Sequence, residues 1–544
     1  MRWLLPTCLL AAATGCGNAR PTSVAGASHD GGAPSATPGA GGVGGAAAGF
    51  FSGGGLASGG RSTGVSGDGS AAAGTTGGSL VYGGSSGGGS VGAAGASGTA
   101  GTGGSPAAAG SSSEGGAPGG MGGAAASGGA GAATGTPDIC SFQISGSLST
   151  DIPTVGLVDW STDLAGITAA RIEFSLDDPR DGELNVGSGG PISVSDSRAL
   201  LLGLKPGRSY TYRIVATAGA TTCVSPDQAL TTSDAGLPPA VTRDAGALAA
   251  SRANGFILAC GYSGGEAVIV DTDGDIVWWT AVDFDCSREQ MDWDGASMWL
   301  LDANPTDDGQ GGVRRVRMDG SGMETIAGLE LAHHDFAVLP GGTTAFLFWT
   351  NASDESSDLV ERSADGTLQT LARLDASTFG TTTSRYHTNA LRYYASNDSY
   401  SVTDISLYGV FELNRAGQLL ERASGFEGIH GHELLPNGNL LYFQAYNGTT
   451  ASSGPSPVYE YALNDQAGQI TPNLVWTYVG EDDQLSSFVL GDVQRLDSGN
   501  TLLTYSTGEM IREVTPAGDV VQTLTFPNQI GYTTFRKTLY GPPQ

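Results

Sequence analysis

The chain has 544 residues, 88 of them glycine, and a formal net charge of −29 at pH 7. This length is too great for a single hydrophobic core and suits two or three folded units. The strong negative charge argues against nucleic acid or an anionic membrane surface as a partner, because both repel an acidic protein.

The N-terminus has the pattern of an export signal. Met1-Arg2 gives a positive start, and the apolar run that follows is too short to span a bilayer as a permanent helix. The run ends in ATGC at Cys16 and resembles the lipobox of bacterial lipoproteins, with Ala13 where leucine is more usual. We therefore predict a lipoprotein signal peptide over residues 1–16, with Cys16 lipidated. Cleavage as an ordinary signal peptide is the alternative.

This interpretation predicts an exported protein, anchored at the bacterial cell envelope on the periplasmic or outer-membrane surface. Contact with the membrane is expected only through the lipid anchor. Residues 17–137, the next segment, consist mostly of Gly, Ala, Ser and Thr. Such a composition buries too little apolar surface to offset its ordering entropy, so it predicts a disordered linker. His29 lies in this segment and is assigned no role.

Alternating apolar and polar runs begin at about residue 138 and continue to about 235. The stretch LKPGRSYTYRIVATA at 204–218 resembles the later strands of a fibronectin type III module, which implies a small β-sandwich acting as a spacer. Four cysteines follow the proposed lipidation site, and export permits disulfides. We predict Cys140–Cys223 within this unit and Cys260–Cys286 within the next one. No CxxC or Cys/His zinc pattern appears.

Residues 240–544 repeat one pattern. Glycine turns between short strands recur at residues 274, 320, 366, 417, 468 and 518, spaced 46–51 residues apart. A second set of turns, beginning with Asn254-Gly255, interleaves with them. Six repeats with two hairpin turns and four short strands each predict a six-bladed β-propeller, and hence an all-β protein.

Three blades carry a histidine at nearly the same position. His334 and His430 each precede a turn glycine by eight residues, and His387 precedes the Asn397-Asp398 turn by ten. The first strand of each blade lines the central channel, so these imidazoles are expected to converge at one end of it. Two other blades carry Arg288-Glu289-Gln290 and Gly491-Asp492-Val493-Gln494 near this place instead.

Several motifs in this region resemble the arylsulfate sulfotransferase family. They are HHDFAVLPGG at 333–342, HTNAL at 387–391, HGHELLPNGNLLYFQAYNG at 430–448 and GDVQRLDSGNTLLTYS from 491. The resemblance implies transfer of a sulfuryl group from a small aryl sulfate to a phenolic acceptor through a covalent sulfohistidine, without a cofactor. It assigns the nucleophile to His430 and supporting roles to His334, His387 and Asn389, whose amide N–H would bind a sulfuryl oxygen. A metal held by the histidines is the alternative, and we predict none.

The chain departs from the family at two places. Gly431 stands where an aspartate usually follows the nucleophile, so His432 and His333 remain alternative catalytic residues. Ile405 stands near the place of an arginine, which Arg385, Arg392 or Arg495 are candidates to replace; for Arg495 a structural ion pair is the alternative. Tyr386 is a candidate for substrate binding.

Trp278, Trp279 and Trp349 are further candidates for an aryl-binding wall, although packing between blades is the expected role of large aromatics in propellers. The altered positions leave other functions open. One is a non-catalytic propeller at the cell surface that binds a glycan or a protein. Another is a hydrolase or lyase that uses the same pocket.

Overall fold

The computed structural model describes residues 140–543, except for 179–182, 184–187, 304–311, 352–355, 384, 446–453, 467–468 and 482–484. The predicted signal peptide, Cys16 and the linker lie outside the described residues. Within the described ranges, no helix is both long and apolar enough to cross a bilayer. Both predicted disulfides, Cys140–Cys223 and Cys260–Cys286, are confirmed.

The first unit is a β-sandwich of eight short strands. They are β1 (Phe142–Leu148), β2 (Gly156–Thr162), β3 (Ala169–Leu176), β4 (Gly189–Ile192), β5 (Arg198–Leu201), β6 (Ser209–Ala218), β7 (Thr221–Val224) and β8 (Gln228–Thr231). One sheet has the order β1-β2-β5, and the other has the order β4-β3-β6-β7 with β8 also paired to β6. Alternate residues of β3 and β6 are buried, as two packed sheets require. The Tyr210 hydroxyl accepts a hydrogen bond from the Lys205 amide at 2.7 Å and ties the strand to the preceding turn.

The remaining strands build a propeller. They are β9 (Thr242–Ala245), β10 (Phe256–Cys260), β11 (Gly265–Asp271), β12 (Ile276–Val282), β13 (Cys286–Met291), β14 (Ser297–Asp302), β15 (Val313–Arg317), β16 (Met323–Thr325), β17 (Ala332–Val338), β18 (Thr344–Asn351), β19 (Ser356–Arg362), β20 (Leu368–Leu374), β21 (Thr388–Tyr394), β22 (Ser399–Asp404), β23 (Gly409–Asn414), β24 (Leu419–Ser424), β25 (Ile429–Leu434), β26 (Asn439–Gln444), β27 (Val458–Gln466), β28 (Gln469–Tyr478), β29 (Asp492–Arg495), β30 (Thr501–Tyr505), β31 (Met510–Val514), β32 (Val520–Thr525) and β33 (Thr534–Arg536). Short helices occur at Ala249–Ser251, Pro340–Gly342 and Ala376–Phe379.

These strands form six antiparallel sheets, one for each predicted blade. The predicted turn glycines 274, 320, 366, 417 and 518 all have positive φ, which glycine adopts without strain. Gly468 lies outside the described residues. Blades two to five each use four consecutive strands, β13–β16, β17–β20, β21–β24 and β25–β28. The all-β fold with a sandwich followed by a six-bladed propeller is confirmed.

The ring closes differently from the simple repeat. The inner strand of the first blade is β33, which pairs with β10 through Phe256 and Arg536. The strand before Asn254-Gly255 is β9, and it forms the outer edge of the last blade on β32. The predicted hairpin at Asn254-Gly255 is therefore wrong, because the two strands flanking that turn belong to different blades.

The sandwich packs on the first two blades through a shared hydrophobic core that includes Ile152, Leu201, Phe256 and Trp278. Lys205 of the sandwich reaches the β11–β12 turn, where its ammonium group lies 2.7 Å from Asp271, 2.9 Å from Asp273 and 2.6 Å from Asp275. The Lys205 side chain is only 3% exposed. We call this contact the lysine latch, since it joins the two units through a buried charge cluster.

Candidate functional site

Four inner strands contain a break in their pairing register near their N-terminal ends. The register slips at Ser287 in β13, at His334-Asp335 in β17, at Asn389 in β21 and at His430-Gly431 in β25. A β-bulge locally bends a strand and turns a side chain away from its alternating position. These bulges therefore lie where the predicted site residues approach the channel.

His334 occupies its bulge with a strained backbone. Its φ is 58°, in the left-handed region that a non-glycine residue seldom adopts. Such a conformation costs on the order of 1–3 kcal/mol and persists where the surroundings hold it. The strain turns the His334 ring out of the strand and towards the next blade.

The imidazoles from neighbouring blades meet. The ring centroids of His334 and His387 lie 4.9 Å apart, and those of His333 and His334 lie 4.8 Å apart. Burial, together with repulsion from His387 and His430, lowers the pKa of His334 well below its usual value. His333, His334, His387 and His430 thus form one cluster, which we call the histidine mouth; His334 and His387 are half-buried, and His430 lies deeper.

His430 is held in one tautomer. Its Nδ1 lies 3.1 Å from the Gly428 carbonyl oxygen, so Nδ1 carries the proton and donates it to that oxygen. The lone pair is then on Nε2. Burial lowers the pKa of His430 to about 4, which keeps the ring neutral at pH 7.

Asn389 connects the neighbouring blade to this histidine. Its Nδ2 donates to the Ile429 carbonyl oxygen at 3.1 Å, and its Oδ1 accepts from the Thr403 hydroxyl at 2.6 Å. The same hydroxyl also bonds the His430 carbonyl oxygen at 3.2 Å. These bonds give Asn389 a positioning role towards the strand that carries His430, and its predicted bond to a sulfuryl oxygen stays a prediction.

His432 has different surroundings. Its Nε2 lies 2.6 Å from the Ser401 hydroxyl, and its Nδ1 has no hydrogen-bond partner. Burial lowers its pKa well below the usual value, and Arg392 and Arg288 add to this effect, in contrast to the imidazole neighbours that act on His430. The geometry thus separates His432 from the histidine mouth and favours His430 of the two.

Beyond the histidines, four charged side chains cross the channel. Arg288 Nε lies 2.5 Å from Asp335, and Arg288 Nη2 lies 3.0 Å from Asp492. Arg392 completes the cycle, at 2.5 Å from Asp492 and 3.5 Å from Asp335. This charge ring draws on four different blades and carries no formal net charge. Arg288, Asp335 and Asp492 are nearly fully buried.

The charge ring accounts for the glycine after His430. A Cβ on residue 431 would overlap Asp492 Oδ1 and would lie 2.6 Å from the Gly491 carbonyl oxygen. The Gly431 amide also donates to that carbonyl oxygen, at 3.0 Å. A side chain at 431 is excluded because the neighbouring blade supplies a carboxylate to this place.

The opposite end of the channel holds a separate cavity of about 350 Å³. Arg288 and Arg392 line it together with Trp293 and Tyr394. The charge ring therefore lies between this cavity and the histidine mouth.

The sequence analysis missed an apolar cluster that adjoins the charge ring and Asn389. Its members come from the first, fourth and last blades and from the loop between β32 and β33: Tyr262, Ala390, Val489, Leu490 and Tyr532. The Tyr532 hydroxyl donates to the Asn389 carbonyl oxygen at 2.7 Å, which joins this apolar wall to the site. The residues are far apart in the sequence and have no common motif, so only the closed ring brings them together.

Other sequence candidates lie elsewhere. Arg495 binds Glu460 at 2.8 Å and stacks over Trp476, as the structural alternative describes. Tyr386 is buried against Phe379, and its hydroxyl donates to the Thr383 carbonyl oxygen. These contacts fit roles in packing rather than in the histidine mouth.

The remaining candidates divide in the same way. Ile405 is 8% exposed, and its amide donates to the His387 carbonyl oxygen at 3.1 Å. Arg385 is exposed, whereas Arg392 is engaged in the charge ring. Packing was the expected role of the three tryptophans: Trp278 is buried in the core shared with the sandwich, Trp279 packs against the same core, and Trp349 lies 5.1 Å from the His333 ring.

The described residues contain no group of three or more metal-binding side chains arranged to hold an ion. No protein-family model matches the chain, and no curated protein matches it.

Among solved structures, the chain is similar to a periplasmic gluconolactonase from Pseudomonas aeruginosa at 13% identity, covering 52% of this chain and 98% of that one with a TM-score of 0.36. A streptogramin B lyase is 10% identical, with 55% and 98% coverage and a TM-score of 0.35. A protein from Bacteroides caccae is 15% identical, with 52% and 99% coverage and a TM-score of 0.38. At these identities, no role is transferred from them to this chain.

Proposed function

We propose that the protein is an exported sulfotransferase of the arylsulfate sulfotransferase type, with His430 as its nucleophile. The observation that carries the proposal is the histidine mouth, which brings together imidazoles from three blades and in which the Nδ1 proton of His430 is bound by Gly428, so that Nε2 is unprotonated. A neutral, oriented imidazole is a competent nucleophile near pH 7. The proposed substrates are a small aryl sulfate as donor and a phenol as acceptor, with no cofactor.

The reaction divides into two transfers. The His430 Nε2 lone pair attacks sulfur, the N–S bond forms, the S–O bond to the aryl group breaks, and the phenolate leaves as an anion that takes a proton from solvent water. An acceptor phenol then attacks the sulfur as its proton passes to solvent water, the N–S bond breaks, and neutral His430 is restored. Splitting the transfer in this way replaces one difficult step with two easier ones.

The apolar wall supports an aryl substrate. Tyr262 and Val489 are half-buried beside the fully buried Tyr532, so they offer partly exposed apolar surface next to Asn389, which Tyr532 bonds. An aromatic ring would gain contact there of the kind that aromatic side chains make with each other. Access runs past His334 and His387, the two half-buried imidazoles of the cluster.

The test is turnover of a chromogenic aryl sulfate with and without a phenol acceptor. We expect release that depends on the acceptor, and its loss in His430→Ala while the circular dichroism spectrum is unchanged. Added imidazole should restore part of the activity of this variant. Peptide mass spectrometry after donor alone should find the sulfuryl group on His430 rather than His432. Absence of turnover with every aryl sulfate by a folded protein would reject the proposal.

A second candidate is a non-catalytic propeller that binds a glycan or protein at the cell surface. Ile405 at the place of the family arginine favours it, because a guanidinium grips a sulfuryl group with two parallel bonds. Arg392, the nearest substitute in sequence, is bound to Asp492 at 2.5 Å. Glycan-array binding that survives His430→Ala, by a protein without turnover, would select this function.

We also propose that the protein is anchored through Cys16 at the cell envelope. In this proposal residues 17–137 act as a tether and the sandwich is a fibronectin type III-like spacer. The two disulfides support an oxidising location. The Tyr210 bond to the Lys205 amide supports the fibronectin type III comparison, since a tyrosine that bonds back to the preceding turn is a feature of such sandwiches.

A further inference from the structure

A chain of hydrogen bonds leads into the histidine mouth from the third and fourth blades. The Thr388 hydroxyl donates to the Ser357 hydroxyl oxygen at 2.7 Å, and Ser357 Oγ lies 2.9 Å from His333 Nε2. His333 Nδ1 in turn lies 2.6 Å from His334 Nδ1. All but His334 are nearly or fully buried, so water does not compete for these bonds.

The directions of these bonds follow from the proton on each group. Because Ser357 accepts from Thr388, its own hydroxyl proton is free to be donated to His333 Nε2, and we assign this direction to the bond. A neutral His333 that accepts at Nε2 carries its proton on Nδ1, and it donates that proton to His334 Nδ1. A neutral His334 that accepts at Nδ1 must carry its proton on Nε2.

We propose that Ser357 and His333 are positioning residues that fix His334 as the Nε2–H tautomer, so that His334 donates a hydrogen bond to the oxygen of the leaving phenolate. In the first transfer, the proton stays on His334 Nε2 and this hydrogen bond stabilises the negative charge on the phenolate oxygen as the S–O bond breaks and the phenolate leaves as an anion. In the second, the same N–H group bonds the oxygen of the acceptor phenol, whose proton passes to solvent water as the S–O bond forms.

Electrostatics agree with this arrangement. Burial lowers the pKa values of His333 and His334 well below their usual value, so both rings are neutral at pH 7. A neutral ring donates from only one nitrogen, which makes the tautomer decisive. Trp349 packs at 5.1 Å from the His333 ring and holds it against the strand.

The kinetic part of this inference rests on the proposed function. A hydrogen bond to the leaving oxygen matters most when the phenolate is a strong base, because more negative charge then develops on that oxygen. For Ser357→Ala we therefore expect a loss of roughly 10-fold to 100-fold in kcat/KM with unsubstituted phenyl sulfate, and a much smaller loss with nitrophenyl sulfate. Ser357→Thr keeps the hydroxyl group and should restore the turnover of unsubstituted phenyl sulfate. Equal losses for both substrates would contradict the inference.

A second measurement does not depend on activity. Long-range ¹H–¹⁵N spectra of the full chain distinguish protonated from unprotonated imidazole nitrogens, and His333→Gln and His334→Gln assign the signals. We expect the His334 proton on Nε2 in the native chain and a mixture of tautomers in Ser357→Ala. A proton on His334 Nδ1 in the native chain would overturn the inference even if sulfuryl transfer were established. A proton on His334 Nε2 in a protein that turns over no aryl sulfate would reject the proposed sulfotransferase function but would leave the tautomer assignment standing.

Ser401→Ala is the matched control. It removes the other buried serine that bonds a histidine of an inner strand, at 2.6 Å from His432 Nε2. The His432 signals should change in this variant, and the His334 tautomer should not. A change at His334 in both serine variants would mean that the effect is a general loosening of the core.

Discussion

Three histidines of the histidine mouth, His333, His334 and His430, are neutral at pH 7 because they are buried. Burial lowers the pKa of His430 to about 4 and lowers those of His333 and His334 well below the usual value. A site built this way offers lone pairs and N–H donors rather than positive charge. It suits a nucleophile that must be unprotonated, and under the proposed function a sulfuryl anion would be held by neutral donors.

The lowered pKa of His430 makes stability depend on pH. Its pKa is about 4 in the folded chain and near 6.5 when unfolded, so below pH 6.5 the unfolded state binds a proton that the folded state does not. Stability is therefore lost as the pH falls towards 4. In His430→Gln, lowering the pH from 7 to 5 should cost about 2 kcal/mol less than in the native chain. Urea unfolding followed by tryptophan fluorescence measures the difference.

His29→Gln is the control for this measurement. His29 lies outside the described residues and has no assigned role, so its replacement should leave the pH dependence of the native chain unchanged. A native chain and a His430→Gln variant that lose equal stability between pH 7 and pH 5 would show that His430 is accessible to protons.

At the scale of elements, the bulge in β25 and the start of β29 fit only without a side chain between them. Gly431→Ala places a Cβ against Asp492 and the Gly491 backbone, and backbone atoms cannot rotate away as a side-chain tip can. We expect a loss of about 3 kcal/mol in the free energy of unfolding and a displaced charge ring. Thermal and urea unfolding measure the loss.

Gly438→Ala provides a comparison in the same hairpin. Gly438 has φ of 84°, and a Cβ at this residue would meet no other atom within 4 Å, so alanine there costs only the backbone strain, about 1 kcal/mol. Equal losses in the two variants would mean that β25 and β29 can separate to admit a methyl group.

Elements whose strands are adjacent in the sequence could be predicted, and elements whose partner strands are far apart in the sequence could not. Hairpins such as that at Gly417 were predicted, since a glycine with positive φ and its two strands are adjacent in the sequence. Strand β33 was not, because TFR has no distinctive pattern and its partner β10 lies at the other end of the propeller. The pairing of β9 was not predicted for the same reason, because its partner β32 lies at the other end of the propeller sequence.

The site divides along a similar line. The histidine positions were predicted because each has the same offset from a turn in its own blade. Arg288 and Asp492 were noted at equivalent places, but the charge ring was not foreseen, since ion pairs between blades depend on how strands face one another across the channel. The hydrogen-bond chain through Ser357 has no sequence signal, because Ser357 lies on β19, away from any histidine motif.

At the scale of the whole molecule, the lysine latch holds the sandwich on the propeller. Lys205→Met removes the ammonium group from among Asp271, Asp273 and Asp275. Burial already raises the pKa of Asp271 to about 6. Without the Lys205 ammonium group, keeping this carboxylate charged in the core costs still more free energy. We expect a loss of about 3–5 kcal/mol and faster protease cleavage between β8 and β9. Calorimetry and limited proteolysis measure these effects.

Lys537→Met is the matched control, because it also removes a lysine that pairs with an aspartate. The pair of Lys537 with Asp497 is exposed, at 43% and 73% of the two side chains, so its removal should cost less than about 1 kcal/mol. Similar small losses for both lysines would indicate that the sandwich is held by its apolar contacts alone.

The closure of the ring has a consequence for biosynthesis. The Asn389 carbonyl oxygen accepts its hydrogen bond from the Tyr532 hydroxyl, close to the end of the chain. The Arg288 guanidinium lies over the same tyrosine ring at 4.8 Å. A nascent polypeptide that has emerged as far as the fifth blade holds every histidine but neither the apolar wall nor the inner edge of the first blade. The apolar wall and the first blade are therefore completed in one late step, when the segment from Tyr532 to β33 docks, rather than gradually as the blades are translated.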